Sequence, residues 1–354
     1  MLNKNIKLSA IMLVCILIAV CTGIYCLTIK SKKIELPYKD DEKIVIGFSQ
    51  LGAESDWRMV NTESVKSSFT EEKGYHLIID DGQQKQSNQI TAIRTFIQQG
   101  VDYILLAPVI ETGWDTVLEE ARSAGIPVII VDRRVKVKDE SLFSYWVGSD
   151  FELEGKKAVH WLKEYMDINE ISPGDMHIIN IQGTIGATAQ IGRTKALEDA
   201  SEKYGWDLMV ETSGEFNRAK AREAMEKLLT EYNNINIVYC ENDNEALGVI
   251  EAIEASGKKV GCDIKNGDIM IVSFDGQNSQ AMNYVREKKI ACITECDPHH
   301  GQRIEEIINS MENGIVQSKY NYVDGKIFSR YVKIQSIKVD TIKYDIIHEI
   351  VEGN

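Results

Sequence analysis

The sequence predicts an α/β chain built on two parallel sheets, each covered by helices on both faces. Three observations carry that prediction. From Ile44 onward a short β-branched run, a loop and a longer segment of helical period recur along the chain. The repeating body exceeds 300 of the 354 residues, which suits two such sheets better than one large one. With 44% hydrophobic and 27% charged residues, the chain is too apolar for disorder and long enough for two domains with cores of their own.

The N-terminus comes first. Residues 8–29 are uncharged and lie between Lys4 and Lys7 on one side and Lys30-Ser31-Lys32-Lys33 on the other; 22 residues are enough to cross a bilayer once. The segment Ile18-Ala19-Val20-Cys21 is like a lipoprotein box, except that Val20 stands where a small residue is usual. Three fates stay open: a retained anchor, lipidation at Cys21, or cleavage as a signal segment. Each exports the body, to the outer face of the cell membrane or to a periplasm. Residues 34–43, with Pro37 and a run of charges, read as a linker.

Strands are expected at 44–48, 76–79, 103–107, 128–131, 145–147, 177–181, 207–212, 235–239, 269–274 and 291–294, with a late one at 329–334. Helices are expected at 57–73, 86–99, 113–124, 153–166, 187–204, 218–232, 244–256, 279–287 and 298–313. The formal net charge is −14, and the first 33 residues hold five lysines and no acid, which leaves 35 basic against 54 acidic residues on the body. A surface that negative repels nucleic acid and anionic lipid. Three of the seven cysteines lie in the N-terminal segment. Cys240 and Cys292 sit in strand-like runs as small buried residues, and Cys292 and Cys296 lack the second pair that a zinc site needs. A disulfide stays open and cannot be paired from spacing.

In open α/β folds ligands bind at the carboxyl ends of the strands, so the residues that follow each strand are the informative ones. Here they are Glu54-Ser55-Asp56-Trp57-Arg58, Asp80-Asp81, Asp132-Arg133, Glu241-Asn242-Asp243, Asp275-Gly276 and Glu295. Carboxylates, amides and arginines beside aromatic planes suit a neutral polyhydroxyl ligand. Each hydroxyl both donates and accepts, and the C–H face of a sugar ring packs on an aromatic such as Trp57 or Phe216. Plainer readings stand beside these: Asp275-Gly276 as a turn, Asn242 as the cap of the next helix, Trp57 as core, Arg193 in a solvated ion pair, one of Asp80 and Asp81 as a cap. Their common placement at strand ends favours a site. There is no P-loop, no G-x-G-x-x-G after a strand and no G-x-S-x-G elbow, and His299-His300 lacks metal-ligand spacing, so no cofactor or metal is expected. A glycosidase using Asp132 and Asp275 stays as the enzymatic alternative.

Ordered along the chain, the segments Val45-Ile46-Gly47-Phe48-Ser49-Gln50, Glu54-Ser55-Asp56-Trp57-Arg58, Asp81-Gly82-Gln83-Gln84, Ala107-Pro108-Val109, Thr112-Gly113-Trp114, Asp132-Arg133, Gln182-Gly183-Thr184-Ile185-Gly186-Ala187, Asn242-Asp243 and Asp275-Gly276 resemble the type I periplasmic binding proteins, the extracytoplasmic sugar receptors of ABC importers, and within them the galactofuranose-binding branch. The resemblance implies two Rossmann-like lobes joined by a three-crossover hinge, one formed by residues 44–147 and 296–326, the other by 148–295 and 327–354. It also implies closure on one monosaccharide and docking of the closed form on a membrane permease. Its ligand set falls on Glu54, Ser55, Trp57, Arg58, Asp132, Arg133, Arg193, Phe216, Asn242 and Asp275, with Glu295 as a polar hinge residue. Trp57 and Phe216 would be the stacking planes. Asp56 departs from the pattern, standing where that branch has glycine, and so bears on furanose specificity. Residues after Arg330 follow the family loosely. A sensing subunit that reports to a histidine kinase or chemoreceptor binds sugar in the same way and stays open as the alternative. A DNA-binding repressor of this architecture is excluded by the apolar N-terminus and the acidic body.

Overall fold

The computed structural model describes residues 43–350. The N-terminal segment and all of the linker but Lys43 lie outside them, as does the question of an anchor. Among the described residues no helix is long and apolar enough to cross a membrane.

The chain winds strands β1 (Ile44–Gln50), β2 (Tyr75–Asp81), β3 (Tyr103–Leu106), β4 (Val128–Val131) and β5 (Tyr145–Gly148) into one sheet. It alternates them with helices α1 (Asp56–Ser68), α2 (Gln86–Gln99) and α3 (Asp115–Ser123). The order is β2-β1-β3-β4-β5, every pair parallel. The pattern then repeats. Helix α4 (Phe151–Asn169) leads into β6 (His177–Gln182), α5 (Thr188–Tyr204), β7 (Asp207–Ser213), α6 (Arg218–Glu231), β8 (Ile237–Cys240), α7 (Asp243–Ala255), a short β9 (Lys259–Val260), β10 (Asp268–Asp275), α8 (Ser279–Arg286) and β11 (Ile290–Glu295). These strands run β7-β6-β8-β10-β11 in a second parallel sheet with the same winding. β3, β4, β8 and β10 are buried from end to end, as strands covered on both faces must be.

The chain passes between the sheets three times. After β5 it enters the second sheet; after β11 it returns through α9 (Gly301–Glu312) and β12 (Tyr320–Tyr322), which pairs in parallel with β5; then β13 (Ile327–Phe328) pairs antiparallel with β11. The α/β class with parallel sheets and two lobes is therefore observed. The third passage is held by Lys157 of α4. Its fully buried ammonium bonds the Asp324 carboxylate and donates to the Gly325 carbonyl at 2.9 Å.

Two expectations need correction. The first helix ends at Ser68 rather than continuing to Lys73, because Phe69 turns inward against Tyr75, with ring centroids 5.0 Å apart, and a 3-10 turn at Glu71–Lys73 closes on Gly74 with φ 86°. The late strand at 329–334 is a turn. The Ser329 hydroxyl donates to the Ala291 carbonyl at 2.6 Å, and the strands lie on either side of that turn, as β13 before it and as β14 (Ser336–Val339) and β15 (Ile342–Ile347) after it. Cys240, Cys262, Cys292 and Cys296 are all free thiols, so no disulfide forms among the described residues.

Candidate binding site

Both sheets turn their carboxyl ends toward one cavity, lined by Glu54, Ser55, Trp57, Arg58, Asp132 and Arg133 from the first lobe and by Phe151, Ala189, Arg193, Phe216, Asn242, Asp275 and Cys296 from the second lobe and the crossovers. Ten of the eleven residues expected from the sequence are brought together here. The exception is Glu295. It ends β11 and turns the other way, accepting from the Lys326 backbone at 2.9 Å beside the third passage, where it lines a separate groove. Asp80 and Asp81 are exposed and take no part.

Local geometry explains how strand ends aim these side chains. Asp132 follows β4 with φ 64°, Asp275 closes β10 with φ 82°, and Phe216 holds φ 57° before α6. Left-handed backbone is tolerable for aspartate and unusual for a bulky aromatic, and such strain persists only where surrounding contacts hold it. For Phe216 those contacts are two hydrogen bonds: its N–H donates to the Glu245 carboxylate at 2.8 Å, and its carbonyl accepts from Asn242 Nδ2 at 3.2 Å. Asn242 also caps α7 by accepting from Glu245 N at 2.8 Å, so the cap and site readings of that residue hold together. Ser55 caps α1 in the same way, accepting from Arg58 N at 3.3 Å. The indole N–H of Trp57 donates to the Cys296 carbonyl at 2.6 Å, fixing the ring against the second crossover. Arginine lies over each ring: Arg58 is 4.6 Å from the Trp57 centroid and Arg133 is 5.0 Å from that of Phe216.

The three arginines are buried and paired. Arg58 Nη2 donates to Asp132 at 2.6 Å and to Glu54 at 3.4 Å, while Arg133 bonds Glu54 and donates to the Val109 carbonyl at 3.1 Å. Arg193 donates twice to Glu154, at 3.1 and 2.8 Å, and once to Asp275 at 3.1 Å, and it also bonds the Glu241 carbonyl. The solvated reading of Arg193 is thereby excluded, its side chain being 2% exposed. Burial alone would raise the Asp132 carboxyl, but Arg58 and Arg133 outweigh it and hold the group below the usual carboxylate range. On the other wall burial wins: Glu154 is pushed up to about 7 and Asp275 is also raised, with Arg193 opposing in both. Three buried donors, Arg58 Nε and Nη1 and Arg133 Nε, find no partner within the protein. An unmatched buried donor costs about 1–3 kcal/mol, so these groups favour a guest rich in acceptors.

Phe151, Ala189, Cys296 and the Arg193 partner Glu154 were not foreseen. Glu154 reads in the sequence as one more helical acid one turn into α4; only the packing of α4 on α5 turns it inward. Among the described residues no cluster of His, Cys, Asp or Glu has metal-ligand geometry.

Residues 46–321 match the family model described as periplasmic binding protein domain. The galactofuranose-binding protein YtfQ of Escherichia coli is 43% identical over 230 residues, 64% of this chain and 70% of that protein. A solved Mycobacterium smegmatis protein in complex with β-D-fucofuranose superposes with a TM-score of 0.75 at 36% identity, covering 81% of this chain and 91% of that one. The binding component of the arabinose ABC transporter of Shewanella sp. ANA-3, bound to α- and β-L-arabinofuranose, gives 0.74 at 40% identity over 81% and 92%. By sequence and by structure, the chain belongs to the periplasmic binding protein family.

Proposed function

We propose that this chain is an extracytoplasmic receptor that closes on one monosaccharide in its furanose form and delivers it to an ABC importer, without chemistry of its own. The observation that carries the reading is the cavity between the sheets, walled by Arg58, Arg133, Arg193, Asp132, Asn242 and Asp275 with Trp57 and Phe216 as flat faces. Carboxylates accept from sugar hydroxyls, arginines and the amide donate, and the rings pack on the C–H face. The relatives that carry a furanose in their own descriptions support the ring form. Glu54 and Ser55 complete the first-lobe wall; Glu295 is left out. The lobes, 44–147 with 296–326 and 148–295 with 327–354, would move as bodies about the three passages. Residues 8–29, or a lipid on Cys21, would keep the receptor at the outer face of the cell membrane beside its permease.

The test is thermal unfolding of the purified protein against galactose, L-arabinose, D-fucose, ribose, xylose and glucose, sugars that differ in how much furanose they furnish in water. A ligand bound only by the folded state at a hundred times its dissociation constant adds about 2.7 kcal/mol, a shift of a few degrees. Stabilisation by one or two sugars of the galactose or arabinose type is expected. Flat curves across the panel would overturn the monosaccharide reading.

A further inference from the structure

We infer that Asp56 is a closure residue: it fastens the cleft from outside the cavity and so sets how long a bound sugar is held. The inference rests on reading the cleft as a closing sugar receptor. Asp56 is the first residue of α1, at the lip of the first lobe, and it does not line the cavity. Its carboxylate accepts from the side-chain amide of Asn278 in the second lobe, and its backbone N–H faces Asn244 Oδ1 at 3.4 Å. The two lobes are thus joined at this lip by two polar contacts, both made by the one residue.

The far side of the latch is built to be stiff. Asn278 caps α8, its Oδ1 accepting from Gln280 N at 2.8 Å and Ala281 N at 3.0 Å. Its own N–H and that of Gln277 donate to the buried Asp243 carboxylate at 3.1 and 3.0 Å. With the oxygen and the backbone committed inside the second lobe, the amide Nδ2 is presented outward in one orientation, and Asp56 is its partner. Little ordering entropy is lost when the contact forms, because one partner is held in advance. A second set of contacts closes the opposite lip, but there the bonds run mainly through backbone: Glu111 N to the Gly186 carbonyl at 2.9 Å and Arg134 N to Thr188 Oγ1 at 3.0 Å. Asp56 is therefore the place where a side-chain change tunes closure without touching the groups that face the sugar. The residue that departs from the family pattern acts on the lifetime of the closed form; furanose recognition lies with the cavity wall.

The test exchanges the two partners. Asn278→Asp keeps the cap on α8, because an aspartate oxygen serves as well, yet sets two carboxylates face to face across the lip. Combined with Asp56→Asn, the same pair of groups is restored with its polarity reversed. Two readouts are taken: the dissociation rate of L-arabinose by stopped-flow tryptophan fluorescence, and the radius of gyration of the sugar-free protein by small-angle X-ray scattering. Asn278→Asp should raise the dissociation rate about tenfold, the scale of one lost charge-assisted hydrogen bond, and expand the sugar-free ensemble. The double variant should return both to within about threefold of the original rate and to the original radius. Unfolding temperatures close to that of the unaltered protein confirm that each variant folds. An unchanged rate and radius in Asn278→Asp, or a double variant no better than the single one, would overturn the latch. If no sugar of the panel binds, the ligand reading fails by itself and the scattering comparison alone decides the latch.

Discussion

On the first-lobe wall of the cleft Arg58 and Arg133 stand against Glu54 and Asp132, two cations for two anions. On the second-lobe wall Arg193 alone faces Glu154 and Asp275, and Glu241, Asp243 and Glu245 are buried at the end of the adjacent strand. Burial is equally deep on both sides, so the difference lies in the count of partners. Where charges balance, attraction outweighs desolvation for two of the groups: Asp132 is held down, and Arg58, which burial alone would lower, is raised by Asp132 and Glu54; Arg133, pressed by burial and by the neighbouring Arg58, is lowered. Where acids outnumber cations, burial prevails: Glu154 and Glu241 hold their protons into the neutral range, and Glu245 is raised as well. The first wall is a fixed ion lattice; the second is one on which protons and hydrogen bonds do the compensating.

The largest effect is expected where that compensation hangs on a single residue. Arg193→Ala removes the one cation of its wall and strips Glu154 and Asp275 of their shared partner, a change of about 3–5 kcal/mol for a broken buried pair. Arg58→Ala leaves Arg133 bonded to Glu54 and should cost less. Urea unfolding of both variants at pH 8, where protonation gives the least relief, checks the order. Equal losses would erase the distinction between the walls.

Next come the flat faces, which belong one to each lobe. Trp57→Ala and Arg133→Ala should each weaken sugar binding by an order of magnitude or more while the protein stays folded, measured by titration calorimetry. A sharper probe leaves every polar group in place. A Cβ on Gly183 would lie 1.9 Å from the Phe216 ring, so Gly183→Ala must push the ring from its seat. About a tenfold loss of affinity is expected, or about 1.4 kcal/mol. Normal binding in that variant would remove Phe216 from the site.

Much of this is legible in the sequence. The parallel α/β class of both sheets follows from short β-branched runs that alternate with helical periods, and eight cavity residues are visible because strand ends in such a fold share one edge; Arg193, inside a helix, and Phe216 enter the ligand set only with the family resemblance. What was not legible depends on side-chain direction across elements. Glu295 ends its strand like Asp275, its neighbour in register on β10, yet Lys326 of the third passage takes its carboxylate away from the cleft. Cys296 and Phe151 enter the cavity from the crossovers, whose path no periodicity encodes. The late strand failed for a local reason, since the Ser329 hydroxyl accepts from the Tyr331 N–H at 3.1 Å and turns the chain.

The smallest effect expected is also the one that separates the walls by a titration. Burial pushes the Glu241 carboxyl up to about 8, against the pull of hydrogen bonds from Thr194 and Gly183, and pushes Glu154 up to about 7, against Arg193. A carboxyl whose folded-state pKa lies above its unfolded value binds more protons in the folded state between the two. The stability it contributes is therefore complete below the unfolded value near 4.5 and is lost as pH rises through the folded one. Asp132 has the opposite sign, but its window lies below the unfolded value of about 3.8, so the first wall is silent near neutrality. Sugar-free protein should accordingly melt at progressively lower temperature from pH 5 to pH 9. Glu241→Gln, which mimics the protonated acid and whose amide oxygen can still accept from Thr194 Oγ1, should flatten that slope, with the largest gain over the unaltered protein at the alkaline end. A melting temperature constant over this range, or a slope untouched by Glu241→Gln, would show that the second wall is compensated as fully as the first.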